Sequence, residues 1–401
     1  MHIVIVGAGP AGATLSLLLA RCGIKVTLVE REGDFERVFR GEALMPTGLA
    51  ALAQIGLGEK LKSLPSRLLE SWEIYLDTIQ IMNIREPSHE LGDRALRVIP
   101  QPQLLTLLVT EAQTYGCFEF RAPATVRDLL WDGDRVCGVT IASPAGQSDL
   151  AADLVIGTDG RASVVRKRAD LSLTLLPESY DVLWFKLPIP PELQGRCPIQ
   201  IFASGAEVAL AYVSWDNRFQ LAWILPKGAW PEVRQRDWLS ECVRLFPVPL
   251  AHHVLKHRDE LAGPSLLDVI VGRCPTWSRP GVMLLGDAAH PMSPVRAQGI
   301  NMALRDAIVA ANHLIPAIRT NQELTDALQN LQHEREREIV KIQRLQLREV
   351  RGQRWARARP WLVKPLLRVT PFLAKTGLIQ RLWLRQQHEL RFGVTEVTLR
   401  V

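Results

Sequence analysis

Two short stretches carry residue types that can do chemistry by spacing alone. "VGAGPAGA" places Gly7, Gly9 and Gly12 in the G-x-G-x-x-G pattern, directly after the apolar run HIVIV and at the start of a Leu-rich segment. Such a turn needs glycines: Gly7 for a tight bend, Gly9 so that backbone can approach a pyrophosphate, and Gly12 so that helix and strand can pack closely. Pro10 and Ala11 complete the entry to the helix, whose N-terminal amides face negative charge. Glu30 ends the next strand, 18 residues after Gly12, where a carboxylate can hydrogen-bond the ribose of an adenosine. Arg31 beside it reads as an exposed charge or a cover for the adenine. The second stretch, "MLLGDAAHPMSPVRAQGINMAL" (residues 283–304), runs from a strand through an irregular loop broken by Pro291 and Pro294 into an amphipathic helix after Gly299.

The elements that must position these residues follow from periodicity. Residues 2–6, 11–22 and 25–29 read as strand, helix and strand, the opening of a doubly wound α/β domain. Residues 103–115 have helical spacing, and 125–156 read as short strands with a turn at Asp132-Gly133-Asp134, ending in "DLVIG". From about 170 to 280 many short β-like runs predict a mostly antiparallel sheet. After 300 the pattern is helical, with breaks at Pro360, Pro365 and Pro371. The expected division is a dinucleotide-binding first part over 1–170, with further sheet strands around 70–100, and an inserted β-sheet domain over 171–280. A second nucleotide part over 281–330 and a basic C-terminal helical segment over 331–401 follow.

Three segments together resemble the FAD-dependent aromatic hydroxylases, the para-hydroxybenzoate hydroxylase-like class A flavoprotein monooxygenases. They are the glycine cradle, "DLVIGTDGRASVVR" with Asp153, Gly157, Asp159, Gly160, Ser163 and Arg166, and "GDAAHPMSPVRAQGINMAL". The resemblance implies FAD as cofactor and NAD(P)H as a transient reductant. It also implies Asp287 at the ribityl chain, Pro294 as a wall beside the ring, and amides of Gln298, Gly299, Ile300 and Asn301 at the flavin's pyrimidine edge. Asp159 and Gly160 belong to the same implied site. Arg40 in "FRGEALMP" matches an arginine that contacts FAD and nicotinamide; Gln101 matches a residue reaching the cofactor from a helix start, and Val126 one touching the adenine through its backbone. Arg296 and Ala297 depart from the small or glycine residues of many relatives, and solvent is the favoured destination for Arg296. The implied reaction is hydroxylation of an aromatic or polyketide-like small molecule through a hydroperoxyflavin. The aromatic residues Trp184, Phe185, Tyr212, Trp215 and Trp223 supply a lid or pocket wall in that reading, and no single acid–base residue stands out.

Rival readings differ in class. A flavin reductase or dehydrogenase shares every motif. A flavin-dependent halogenase is more distant, because no lysine occurs between Lys62 and Lys167 and Leu221 replaces the first tryptophan of the second halogenase signature. A non-enzymatic flavoprotein is the third.

Bulk properties narrow the partners. Of 401 residues, 47% are hydrophobic and 22% charged, an ordinary globular balance requiring more than one core or a large insertion. The net charge of +6 is concentrated, since Leu331–Val401 holds 16 Lys and Arg against 6 Glu and leaves the remainder acidic. That argues against a nucleic-acid partner. The basic, Trp- and Leu-rich tail suits either an anionic membrane surface or, preferentially, a helix packed on the FAD domain with its cations exposed. Six scattered cysteines without metal spacing imply reduced thiols, and the missing leader and apolar span a cytoplasmic location. His253 and His257 at i, i+4 read as a solvated helix face rather than a metal site. His290 reads as a packing or hydrogen-bonding residue near the flavin. Oligomeric state is not legible.

Overall fold

The computed structural model describes residues 1–36, 42–177, 180–357 and 377–401. The β-branched run His2–Val6 is buried on both sides because it is an inner strand of a six-stranded sheet. Its order is Ser278–Arg279, Val282–Leu284, Leu154–Gly157, His2–Val6, Lys25–Val29, Phe118–Arg121. The first strand is antiparallel to its neighbour and the other five run parallel. The helices Pro10–Arg21, Gln101–Gln113 and Gln298–Arg319 pack together around the same core. An antiparallel three-stranded meander, Thr125–Asp132, Arg135–Ser143 and Gly146–Ala151, joins it through Val136 and Val139.

A seven-stranded sheet forms the second layer system, in the order Ala262–Leu267, Tyr180–Pro188, Arg218–Pro226, Glu207–Val213, Pro198–Ser204, Ser71–Leu76, Ile79–Arg85. It is antiparallel except where Pro198–Ser204 runs parallel to Ser71–Leu76. Two of its strands therefore come from an excursion of the chain around residues 71–85, far upstream of the other five. Strand alternation then assigns faces. Phe185, Phe219, Leu221 and Leu225 enter a core with the helices Trp238–Cys242 and Val248–Lys256, while Val182 and Trp184 point the other way.

The chain closes with the long helix Leu324–Arg357, the short helices Leu378–Gln386 and His388–Phe392, and an extended end. That end is tied back by Gln54 and Asn312, whose side chains bond the backbone at Val397, Leu399, Thr398 and Arg400 at 2.7–3.0 Å. Within the Trp- and Leu-rich tail the described Arg351, Arg381 and Arg385 are exposed, while Arg335 and Arg391, outside it, are buried. Arg335 is fully buried between Asp306 and Glu338, Arg305 pairs with Glu338 at 2.7 Å, and Arg391 pairs with Glu86 at 2.5 Å. A charge run exposes its polar face only when no buried partner awaits it, and here carboxylates do. The middle of the Trp- and Leu-rich tail, and Arg40, lie outside the described residues. All six cysteines are free thiols. Among the described residues no helix is long and apolar enough to cross a membrane.

Candidate functional site

The glycine cradle is fixed by contacts that a side chain would destroy. Gly7 has φ +101°, and a Cβ there would lie 2.8 Å from the Thr158 carbonyl; at Gly12 it would lie 2.1 Å from the Gly7 carbonyl. Gly9 is different: a Cβ there would meet nothing within 4 Å, so its backbone fronts open space at the mouth of the Pro10–Arg21 helix. Pro10 occupies the first helical position, leaving the amides of Ala11 and Gly12 without intrahelical partners. Glu30 is buried at the end of the second strand, and its Oε2 accepts from the Ala8 amide at 2.7 Å. Arg31 points out, paired with Glu32 at 2.9 Å.

The Asp-Gly and Gly-Asp segments converge on this cradle. The Thr158 hydroxyl donates toward the Gly7 and Val6 carbonyls at 2.7 and 2.9 Å. Asp159 accepts from the Ser163 hydroxyl at 2.5 Å and from the Val164 and Val165 amides at 2.6 and 3.1 Å. It thus braces the turn, and burial pushes its carboxyl above the usual range against those donors. Gly160, at φ +81°, has open space where a Cβ would stand. Arg166 reaches across to donate to the Ala288 carbonyl at 2.8 Å, and Arg161 Nε lies 3.3 Å from the half-exposed Asp287 carboxylate. Gly286, φ +62°, packs its Cα side against Ala11 and Ala303, bringing both helix starts to one place.

The second helix start is built differently. After Pro294, Arg296 and Ala297 both take left-handed backbone, φ 59° and 50°, before Gln298 opens the Gln298–Arg319 helix. The first-turn amides of Gln298, Gly299 and Ile300 lack intrahelical acceptors, and Gly299 would place a Cβ only 4.0 Å from Asp287. Asn301 departs from expectation, because its amide stands beyond those orphan groups. Its fully buried side chain instead accepts from the Met45 amide at 2.9 Å and donates to the Ala297 carbonyl at 2.6 Å.

Arg296 is the clearest correction. Its side chain is 8% exposed, not solvated, and its guanidinium lies 4.2 Å from the Trp72 ring centroid and 5.0 Å from that of Trp383. Glu349 accepts from it at 2.6 and 2.9 Å. Sequence reasoning missed Trp72, Trp383 and Glu349, which lie 224, 87 and 53 residues from Arg296. The remaining signal was the inward stripe Arg335, Glu338, Ile342, Gln346, Glu349 at helical spacing, which composition disguised as a solvated face.

His290, buried against Trp277, places Nε2 at 2.8 Å from the Asp306 carboxylate. Burial alone would raise the Asp306 carboxyl, but His290 and Arg335 outweigh it and hold Asp306 below the usual range. His253 is buried too, bonded at 2.9 Å to the Pro188 carbonyl rather than facing solvent. The described residues contain no cluster able to hold a metal. Gln101 opens the Gln101–Gln113 helix, two residues past an Ile99 amide that donates to the Glu42 carbonyl at 2.9 Å. Val126 is buried, two residues past an Ala124 amide that donates to the Glu30 carbonyl at 2.7 Å. Burial also pushes the Glu42 carboxyl upward, opposed by Lys186 and Ser214.

Between the seven-stranded sheet and the Pro294–Arg296 loop lies a cavity of about 1150 Å³. Trp72 and Trp184 wall it on the sheet side, Trp223 borders it while packing in the opposite core with Phe185, and Glu349 and Val350 close it from the long helix. Of the aromatic residues anticipated as a wall, Trp184 and Trp223 line it. Phe185 faces the opposite core, and the buried Tyr212 hydroxyl is engaged by Gln220 at 2.6 Å.

A parallel sheet with two helix N-termini and a carboxylate gathered at one cleft defines a dinucleotide-binding flavoprotein. The chain belongs to the FAD binding domain family, which matches residues 1–343. It is 34% identical over 320 residues to 6-methylpretetramide 4-monooxygenase of Streptomyces rimosus, covering 79% of this chain and 76% of that one. It is 28% identical to 3-hydroxybenzoate 6-hydroxylase of Klebsiella oxytoca, covering 78% and 80%. In fold it is similar to p-nitrophenol 4-monooxygenase PnpA of Pseudomonas putida DLL-E4, with TM-score 0.79, 20% identity and 98% of each chain covered. The chain is an FAD-dependent monooxygenase with NAD(P)H as reductant.

Proposed function

We propose that this enzyme hydroxylates a polycyclic, polyketide-type aromatic compound, and that the residues gathered at the cleft hold its FAD. The cavity carries the substrate reading: about 1150 Å³ walled by indoles is roomy for a single ring and suits a fused ring system. The similarity to 6-methylpretetramide 4-monooxygenase supports it.

The residues fit FAD in their donor chemistry. The open face at Gly9 and the free amides of Ala11 and Gly12 receive the pyrophosphate, and Glu30 takes the adenosine ribose. Asp287 takes the ribityl hydroxyls. The amides of Gln298, Gly299 and Ile300 face the pyrimidine edge, where their partial positive charge steadies an electron-rich ring. Pro294 limits the ring on one side. Gly160 leaves room beside the cleft, and Asn301 fixes the loop from behind. Bound FAD, once reduced by NAD(P)H, supplies the activation of dioxygen. The chain's own work is to exclude water with the Trp72 and Trp184 wall and to hold the target ring against the Pro294–Arg296 loop.

Purified yellow protein should consume NADPH faster when a polycyclic phenol is added, with labelled dioxygen appearing in the product. Stimulated NADPH oxidation that only reduces the added compound, with no oxygen incorporated, overturns the hydroxylase reading of this site.

A further inference from the structure

Pro294 limits the ring on one side of the proposed FAD site, and a single side chain grips the backbone on either side of it. Gln346 is 1% exposed, and its Nε2 donates to the Ser293 carbonyl at 2.9 Å and to the Val295 carbonyl at 2.7 Å. Those carbonyls flank Pro294, which has no amide hydrogen of its own with which to tie itself down. Only the nitrogen of a side-chain amide can serve two acceptors, so the orientation of Gln346 is fixed and its Oε1 is buried without a partner. An unmet buried acceptor costs stability, which marks the two donors as the reason a glutamine stands here. Gln346 is the middle of three inward residues spaced about one turn apart on the Leu324–Arg357 helix. Gln343 Nε2 donates to the Gly272 and Pro291 carbonyls at 2.8 and 3.3 Å, and Glu349 takes the Arg296 guanidinium. One helix face thus follows the loop from Pro291 to Arg296. From the sheet, the Tyr180 and Ser293 hydroxyls share a hydrogen bond at 2.6 Å.

We propose that Gln346 is a positioning residue of the flavin site. Its two N–H groups hold Pro294 beside the ring, and through the backbone that runs on to Gln298 they hold the first-turn amides of Gln298, Gly299 and Ile300 at the pyrimidine edge. The inference rests on the reading of this cleft as the FAD site. Gln346 acts through that backbone and not on the cofactor. Those amides favour an electron-rich ring, so losing the Gln346 donors weakens the hold on reduced FAD more than on oxidised FAD. The midpoint potential of the bound flavin then falls.

The test compares FAD affinity, midpoint potential and thermal unfolding in the full-length protein and its variants. Gln346→Leu removes both donors, and Gln346→Glu keeps the side-chain shape while setting a carboxylate against two carbonyls. Gln332→Leu is the reference, because it cuts bonds from the same helix to Trp277 and Pro275, outside the flavin-facing loop. Both Gln346 variants should bind FAD about tenfold more weakly, the effect of about one lost hydrogen bond. Their midpoint potential should fall by the equivalent of an about fivefold smaller preference for reduced over oxidised FAD. Gln332→Leu should lower thermal stability and leave the potential where it is in the wild type. Gln346→Asn keeps the amide on a shorter arm and guards against misfolded variants; its potential should fall between wild type and Gln346→Leu. If the potential is the same in the wild type and every folded Gln346 variant, or moves as far in Gln332→Leu, Gln346 merely fastens helix to loop and the proposal fails. Wild-type protein that takes up no FAD sinks the cofactor reading and this inference together. FAD bound with a potential indifferent to Gln346 sinks this inference alone.

Discussion

Two helix N-termini meet at the cleft, and they are made by opposite means. The Pro10–Arg21 helix is entered through glycines, so the required backbone is available to the local chain at no steric cost. The Gln298–Arg319 helix is entered through Arg296 and Ala297, both left-handed and neither glycine, each costing about 1–2 kcal/mol in isolation. What holds the second entrance is distant: Trp72, Trp383 and Glu349 grip Arg296, and the Asn301 side chain ties Met45 to Ala297. One anion-receptive end is encoded locally. The other is imposed by the surrounding fold, so the chain can place a cation where glycine-based loops have none.

The sharpest way to break this contrast is to remove the support beneath the second entrance. Arg335→Ala leaves Asp306 to His290 alone and Glu338 to Arg305 alone, and should cost about 3 kcal/mol in urea unfolding. Next comes Gly12→Ala at the first entrance, where the new Cβ meets backbone that cannot yield. Destabilisation should reach the upper end of the about 1–3 kcal/mol overpacking range, with flavin lost from the purified protein. Asn301→Ala strands the buried Met45 amide and should cost about 2 kcal/mol by thermal unfolding, with flavin content falling less than in Gly12→Ala.

Acid should act on the second entrance. Asp306 and Glu338 titrate below the ordinary carboxylate range in the folded protein, because their arginine and histidine partners outweigh burial. Their contribution is therefore present above the unfolded carboxylate pKa and is lost as pH falls through the depressed folded value. Asp306→Asn should flatten the acid limb of a stability–pH curve. The smallest effect is expected of Ala297→Gly, which relieves left-handed strain and should raise stability by about 1 kcal/mol or less. A loss of stability there would show that Ala297 is held without strain.

The cradle, the Asp-Gly turn and the Gly-Asp loop were legible because each depends on neighbours within a few residues. A turn that needs Gly7, or a strand end that needs Glu30, declares itself in the residue type. Arg296 was misread as solvated because its partners are supplied by a strand near residue 72 and helices near residues 349 and 383. Arg335 and Arg391 likewise look like surface cations until their carboxylates are found. His253 was a similar case, since a buried carbonyl partner at Pro188 has no signature in the sequence.

The amino-acid order by itself determined the parallel-sheet opening, the three loop motifs and a dinucleotide cradle, since backbone reach and glycine freedom are local properties; the flavin followed from the family resemblance of those motifs. Tertiary structure alone decided the indole-walled cavity and the buried setting of Arg296. Burial and pairing depend on which distant side chains arrive at the same point, and hydrogen-bond partners beyond one helix turn leave no trace in spacing.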